Sequence, residues 1–250
     1  MPLVVVIFGA SGSGKSTLME QLQRAGSNYS IHIKGTDRQP RAYDGVEIRC
    51  VHEVTPAEYD YIYETYGYRY GIQRSQIDAA IRANNFHFVI CNDIPVIHAL
   101  RSDYGDLVRV IFHHFDAPRE ALEAIQAARG IGDDEISLRL TKTEALYKTF
   151  VEQQDLFNDV LFNHYGDDPE ITRFKMENLL QRLLLKSTPK SDHFLSRLET
   201  FVRELDLRLS RENAIPQSAI EKSYVFIIMA MAPDKPELDD SHAAIKRACG

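Results

Sequence analysis

The octapeptide Gly9-Ala10-Ser11-Gly12-Ser13-Gly14-Lys15-Ser16 constrains this chain more than any other stretch. It fits GxxxxGK[ST] at every fixed position, directly after the apolar run Val4 to Phe8 and before a helical pattern over Ser16 to Arg24. That strand, loop and helix order turns the pattern into a phosphate-binding loop. The glycines let the backbone curl until successive N–H groups face one concavity, and the helix N-terminus adds partial positive charge. On this reading Gly9, Ser11, Gly12, Ser13, Gly14, Lys15, Ser16 and Thr17 cradle ATP. Lys15 reaches the outer phosphates, and the Ser16 hydroxyl holds Mg²⁺.

The run Val4-Val5-Val6-Ile7-Phe8 is β-branched and aromatic throughout, the signature of a strand buried on both faces of a parallel sheet. Phe86 to Cys91 and Leu107 to Phe112 repeat it, with helical stretches at Ser75 to Ala83 and Pro95 to Arg101 between them. Interleaving of this kind predicts an α/β, doubly wound parallel sheet. Helices are then predicted over Arg119 to Ala128 and Asp134 to Phe157, the second with Asp133 and Asp134 as candidate caps.

From Glu170 the composition turns to leucine-rich amphipathic helix, broken at Ser187-Thr188-Pro189 and resuming near Ser191. Phe194, Leu198, Phe201 and Leu205 form a short heptad-like stripe, read as a helix packed on its own domain or as a contribution to a homodimer. Asn213-Ala214-Ile215-Pro216 reads as a linker, and Tyr224 to Met229 as a further buried strand. A proline-rich turn and a helix start near Asp240 or Ser241 follow. A buried parallel strand needs neighbours on both sides, so the end of the chain reads as the start of a truncated α/β unit, or as an added edge of the first sheet. The expected division is 1–185, a helical linker 186–222, and 223–250.

Composition excludes several classes. With 44% hydrophobic and 26% charged residues the chain can bury a core. Its 36 acidic and 29 basic residues, net −7, argue against a protein that wraps nucleic acid. No apolar run nears the roughly 20 residues needed to span a bilayer. Cys50, Cys91 and Cys249 lie far apart with no CxxC pair, which fits a reducing compartment. A soluble, cytoplasmic protein without nucleic-acid or membrane partners is expected.

A second anion site is suggested by Lys34-Gly35-Thr36-Asp37-Arg38-Gln39-Pro40-Arg41, in which Arg38 and Arg41 flank a stiffening proline. Paired guanidinium forks clamp phosphate oxygens. Tyr59, Tyr61, Tyr63, Tyr66, Tyr68 and Tyr70 form either a stacking surface or one face of a strand. Asp93, at the carboxyl end of a predicted strand, is read as an acceptor or Mg²⁺-orienting carboxylate, or as a helix cap before Pro95. His113 and His114 are taken to follow a strand, and the nine histidines show no metal-ligand spacing.

These motifs together resemble the guanylate kinase family. The loop GASGSGKST, Thr36 to Arg41 with Asp44-Gly45, Tyr70-Gly71, and a lid-like Arg129-Gly130…Glu135-Ile136…Arg139-Leu140 run in the family's order, with Phe162-Asn163 beyond them. The resemblance covers about residues 1–185. It implies a P-loop NTPase sheet with NMP-binding and lid insertions, near 34–72 and 120–145, followed by C-terminal helices. It further implies ATP-dependent transfer to a nucleoside monophosphate, with Arg38, Arg41 and Tyr70 on the acceptor phosphate. Arg129 and Arg139 would neutralise the transferring group.

Departures from the family bear on the acceptor. A guanine-contacting serine is matched by Gly35, the base-reading glutamate by Tyr61 with Glu64 nearby, a first strand-end carboxylate by Asn92, and one lid arginine by Gln126. Arg69-Tyr70-Gly71-Ile72 with Asn92 resembles the ribose 1,5-bisphosphate phosphokinases, which makes a sugar phosphate the alternative acceptor. The tail from Tyr224 is similar to the opening of TIR-like and nucleoside-deoxyribosyltransferase-like domains. A further alternative is therefore a non-catalytic nucleotide sensor or scaffold regulating a C-terminal effector.

Overall fold

The structure is a computed structural model, described here for residues 1–185. The stripe from Phe194, the linker near Asn213, the strand from Tyr224, and hence the segments 186–222 and 223–250, lie outside the described residues.

The chain opens on β1 (Leu3–Gly9), all seven residues of which are buried. After the glycine-rich loop come α1 (Lys15–Ala25) and β2 (Tyr29–Ile31). Then follow β3 (Lys34–Thr36), β4 (Ile48–Cys50), β5 (Tyr61–Thr65) and β6 (Tyr68–Ile72). The chain returns through α2 (Arg74–Arg82), β7 (Phe86–Ile90), α3 (Ile94–Tyr104) and β8 (Val108–Asp116). The described residues close with α4 (Arg119–Ala128), α5 (Asp133–Glu152), β9 (Asp159–His164) and α6 (Pro169–Leu185).

Five strands form one sheet in the order β2-β7-β1-β8-β9, every pairing parallel. Strand order reverses direction at β1, so a crevice opens at its carboxyl end, where α/β sheets bind ligands. Leu3, Val5 and Ile7 pack against Leu18, Met19 and Leu22 of α1 and Met176, Leu179, Leu180 and Leu183 of α6. Phe8 turns to the opposite face, 6.1 Å from Phe112 and 5.2 Å from Phe157 between ring centroids. Each side chain buried in this way contributes about 1.5–3 kcal/mol, so the loop that follows β1 leaves a fixed base.

The second sheet, β4-β3-β6-β5, gives the tyrosine run its form. β5 and β6 make an antiparallel hairpin around Tyr66 and Gly67, both at positive φ (55° and 74°). That turn geometry matches the twist of a two-residue hairpin but is strained for a bulky tyrosine. Tyr59, Tyr61, Tyr63 and Tyr70 are buried and Tyr68 is exposed, so strand packing accounts for most of the run.

Three sequence expectations need correction. The helix predicted over 134–157 stops at Glu152, a 3₁₀ turn covers Gln154–Leu156, and β9 follows unanticipated. Leaving the helix lets Phe157 reach Phe8 and lets β9 pair with β8. β8 runs on to Asp116 because β9 supports it, so His113 and His114 lie inside that strand and are buried, not beyond it. Gly132, without a side-chain cap, is the N-cap of α5, while Asp133 and Asp134 sit in its first turn. There they favour the helix dipole without capping.

Candidate functional site

Gly12 (φ 84°) and Gly14 (φ 88°) take the left-handed conformation that bends the loop between β1 and α1. Four polar side chains brace it, three of them buried or half-buried and Asn92 exposed. Asn92, just beyond β7, accepts from Gly9 N and donates to Gly9 O, both at 2.9 Å. His113 of β8 shares a 3.0 Å hydrogen bond with Ser13 Oγ. Asn163 of β9 donates to Ser13 O at 2.8 Å, and Gln126 of α4 to Ser11 O at 3.0 Å. A Cβ on Gly14 would lie 2.8 Å from the Asn163 amide, so the brace leaves no room for a side chain. The loop is preorganised by groups from three neighbouring strand ends.

Lys15 folds back to donate to Ala10 O, and lies 3.3 Å from Ser13 Oγ. Burial, with the charges of Lys34 and Arg129, lowers its pKa from 10.5 to about 7, against the opposing pull of Glu47. The loop thus holds an amine short of negative charge. Ser16 donates to Glu47 Oε1 at 2.5 Å. Thr17 is exposed in the first turn of α1.

Lys15 and Ser16 open into a cavity of about 390 Å³, a size suited to a small-molecule ligand. Arg38, Arg41, Tyr70, Asp93, Arg129 and Arg139 all line it, so the sequence-predicted anion groups converge on one space. Arg38 is buried and grips the Asp44 carboxylate with both terminal nitrogens, one at 2.9 Å, while its Nε is buried without a hydrogen-bond partner. Asp44 also accepts from Arg41 N at 2.8 Å, which ties the two arginines into one turn. Tyr70 stacks on Tyr63 with centroids 5.5 Å apart. Asp93 accepts from Val96 N at 3.0 Å and caps α3, so the capping reading is observed in a residue that also faces the cavity.

Arg129 and Arg139 differ in their surroundings. Arg129 lies over the Tyr43 ring at 5.3 Å. Arg139 is buried and donates to Ser11 Oγ at 2.7 Å, Gln126 Oε1 at 3.0 Å and Glu135 Oε1 at 2.7 Å. Hydrogen bonding to Arg139, outweighing burial, holds the Glu135 carboxyl below its usual range. Gln126 therefore joins the loop to α5.

Lys34, Lys142 and Glu47, to which sequence reasoning gave no individual role, complete the lining together with Glu64, which it did name. Lys34 is buried, donating to Ile90 O at 2.7 Å and lying 3.4 Å from Tyr63 OH. Lys142 lies over the Tyr66 ring at 3.7 Å, so the strained hairpin tip meets α5. Glu47 and Glu64 supply carboxylates. Gly35 faces the Tyr59 ring, which fills the space a side chain there would need, and Lys34 projects into the cavity instead. Tyr61 is turned away to donate to Asp103 Oδ2 at 2.5 Å.

Among the described residues no three His, Cys, Asp or Glu converge as a metal cage. Mg²⁺ fits the remaining donors, because it keeps waters and takes only one or two protein oxygens beside phosphates. Ser16 Oγ and the partnerless, buried Glu47 Oε2 are of that kind.

No family model matches the chain, and neither does any curated protein. Among solved structures it resembles guanylate kinase from Anaplasma phagocytophilum, at 16% identity and a TM-score of 0.51, over 74% of this chain and 88% of that one. Gluconokinase from Sinorhizobium meliloti 1021 also aligns, at 14% identity and a TM-score of 0.35, over 75% and 98%. The fold is thus α/β with a mostly parallel sheet and flanking helices, of the P-loop kinase type that the guanylate kinase adopts. None of the described helices is long and apolar enough to cross a membrane.

Proposed function

We propose that the domain formed by residues 1–185 transfers the γ-phosphoryl group of ATP to a phosphate on a small acceptor, with a nucleoside monophosphate as the leading acceptor. The observation that carries this is the single cavity shared by Lys15 and Ser16 with Arg38, Arg41, Arg129 and Arg139. Phosphoryl transfer needs alignment and positive charge more than covalent chemistry, and this cavity supplies both.

In this reading the loop N–H groups and Lys15 hold the β- and γ-phosphates. Ser16 would exchange its bond to Glu47 for Mg²⁺, whose chemistry when bound is to neutralise charge on those phosphates. Arg38, Arg41 and Tyr70 hold the acceptor phosphate in line, and Asp93, already oriented by capping α3, borders the acceptor. Arg129 and Arg139 offset the charge that spreads over the transferring oxygens. Arg139, already held at Ser11 Oγ, has a short path to that role.

A second reading is favoured by Lys34. Its ammonium lies on the acceptor side, hydrogen-bonded to two neutral oxygens with Glu47 acting on it only through its charge, and a buried cation is stabilised by an anionic ligand. That supports an acceptor with a second anionic group, such as ribose 1,5-bisphosphate. The test is ADP formation from Mg-ATP with GMP, dGMP, AMP, CMP, UMP, dTMP and ribose 1,5-bisphosphate. Acceptor-dependent ADP supports transfer, and the preferred acceptor decides between the two readings.

A further inference from the structure

We propose that Glu47, carried on the turn just before β4, anchors the divalent cation of a bound metal–nucleotide. The inference deepens the proposed function by assigning that site's metal to a particular carboxylate.

The geometry around Ser16 carries the argument. Ser16 Oγ and Glu47 Oε1 are 2.5 Å apart, and Glu47 Oε2 is buried without a hydrogen-bond partner. The residue as a whole is 5% exposed and borders the cavity. A carboxylate oxygen left bare in such a place is costly unless something charged or hydrogen-bonding meets it during function.

Its position is built rather than incidental. Lys34 N donates to Glu47 O at 2.9 Å, which fixes the backbone at the start of β4. Gly45 forms the preceding turn, with Ile48 N donating to its carbonyl at 3.2 Å. A Cβ at Gly45 would stand 2.9 Å from Ser16 Cβ and press on the Glu47 carboxylate, so the glycine lets Glu47 reach the loop.

The two polar residues just beyond β7 are already engaged. Asn92, at the β7 end, carries no charge and uses both ends of its amide on Gly9. Asp93 caps α3 through Oδ1. A role for Glu47 as counter-anion alone is a poorer fit. Lys15 and Lys34 lie near enough to feel its charge, yet their hydrogen bonds go to Ala10, Ser13, Ile90 and Tyr63. One hydroxyl and one carboxylate, with the rest of the coordination left to phosphates and water, suit Mg²⁺ or Mn²⁺. The connection from β3 to β4 that carries Glu47 also carries Arg38 and Arg41, so the metal and the acceptor phosphate would be gripped by one segment.

The test is Mn²⁺ binding to the full chain by electron paramagnetic resonance, titrated in the presence of ATP, beside ATP binding by calorimetry in EDTA. Glu47→Gln is expected to raise the half-saturating Mn²⁺ concentration roughly 10- to 100-fold, the usual cost of removing a group that orients a metal. In EDTA the same variant should bind ATP as well as the wild type or better, because a negative charge facing the phosphates is gone. Glu47→Asp keeps the charge and should lose less than Glu47→Gln. An unchanged Mn²⁺ titration overturns the inference. So do equal losses with and without metal in both variants, which mark a structural counter-anion, and a wild type that binds no Mn²⁺–ATP. The titration reads binding and not turnover. A wild type that binds Mn²⁺–ATP but phosphorylates no acceptor therefore defeats only the proposed function.

Discussion

On the proposed function, Lys15 makes ATP binding a proton-coupled event. Burial and the neighbouring cations Lys34 and Arg129 hold its pKa near 7, down from 10.5. Triphosphate oxygens arriving at its Nζ supply the missing negative charge and restore the ordinary value. Between pH 7 and 10.5 the free protein therefore carries a neutral lysine and the complex a charged one, so binding takes up a proton. Linkage gives uptake of about 0.1 proton at pH 6 and nearly one at about pH 8.5, with affinity falling about 50-fold from pH 7 to pH 9. Calorimetry at pH 8.5 in EPPS and in Tris, which differ in ionisation enthalpy, reads this uptake directly. Lys15→Met should abolish it. Equal binding heats in the two buffers, or an affinity that does not fall above pH 7, would refute the reasoning.

Three further predictions rest on other parts of the domain. Asp44→Asn leaves the buried Arg38 guanidinium without its anion and should destabilise the fold by about 3 kcal/mol in urea unfolding; added inorganic phosphate should stabilise this variant more than the wild type. Gly14→Ala forces a Cβ into a left-handed position against Asn163, so ATP affinity should drop at least tenfold in calorimetry while far-UV circular dichroism stays native. His32 and His87, hydrogen-bonded ring to ring at 3.0 Å, are held neutral by burial, with His87 near pH 4. Their unfolded forms protonate below about pH 6.5, so stability should fall as pH drops from 6.5 to 4, with His87 alone contributing about 3 kcal/mol. Urea unfolding at pH 7 and pH 4.5 with equal midpoints would contradict this.

The parts of the fold legible in the sequence are those whose cause is local. β1, β7 and β8 stand out because central parallel strands are apolar on both faces, and the loop because its glycines and lysine are contiguous. α4 runs over Arg119–Ala128, as the spacing predicts. β9 was hidden because Asp159, Asn163 and His164 dilute its apolar pattern, and its identity comes from pairing with β8. α5 was overrun for the complementary reason, since nothing local in residues 150–157 stops a helix.

Within the site, Arg38, Arg41, Arg129 and Arg139 were legible from charge and motif order. Glu47 and Gln126 were not. Glu47 reaches Ser16 across 31 residues of sequence and Gln126 reaches Ser11 across 115, and only the folded sheets bring them together. Lys34 was hidden by strand alternation, which decides that it faces the cavity while Gly35 faces Tyr59. Asp93 was ambiguous because one carboxylate can cap a helix and border a ligand at once.

The most direct measurement is ADP production from Mg-ATP across the acceptor panel, by the wild type and by Lys15→Ala. The account predicts ADP that depends on one phosphorylated acceptor and disappears with the lysine. ATP binding without acceptor-dependent ADP from any acceptor would contradict phosphoryl transfer and leave a nucleotide-binding sensor.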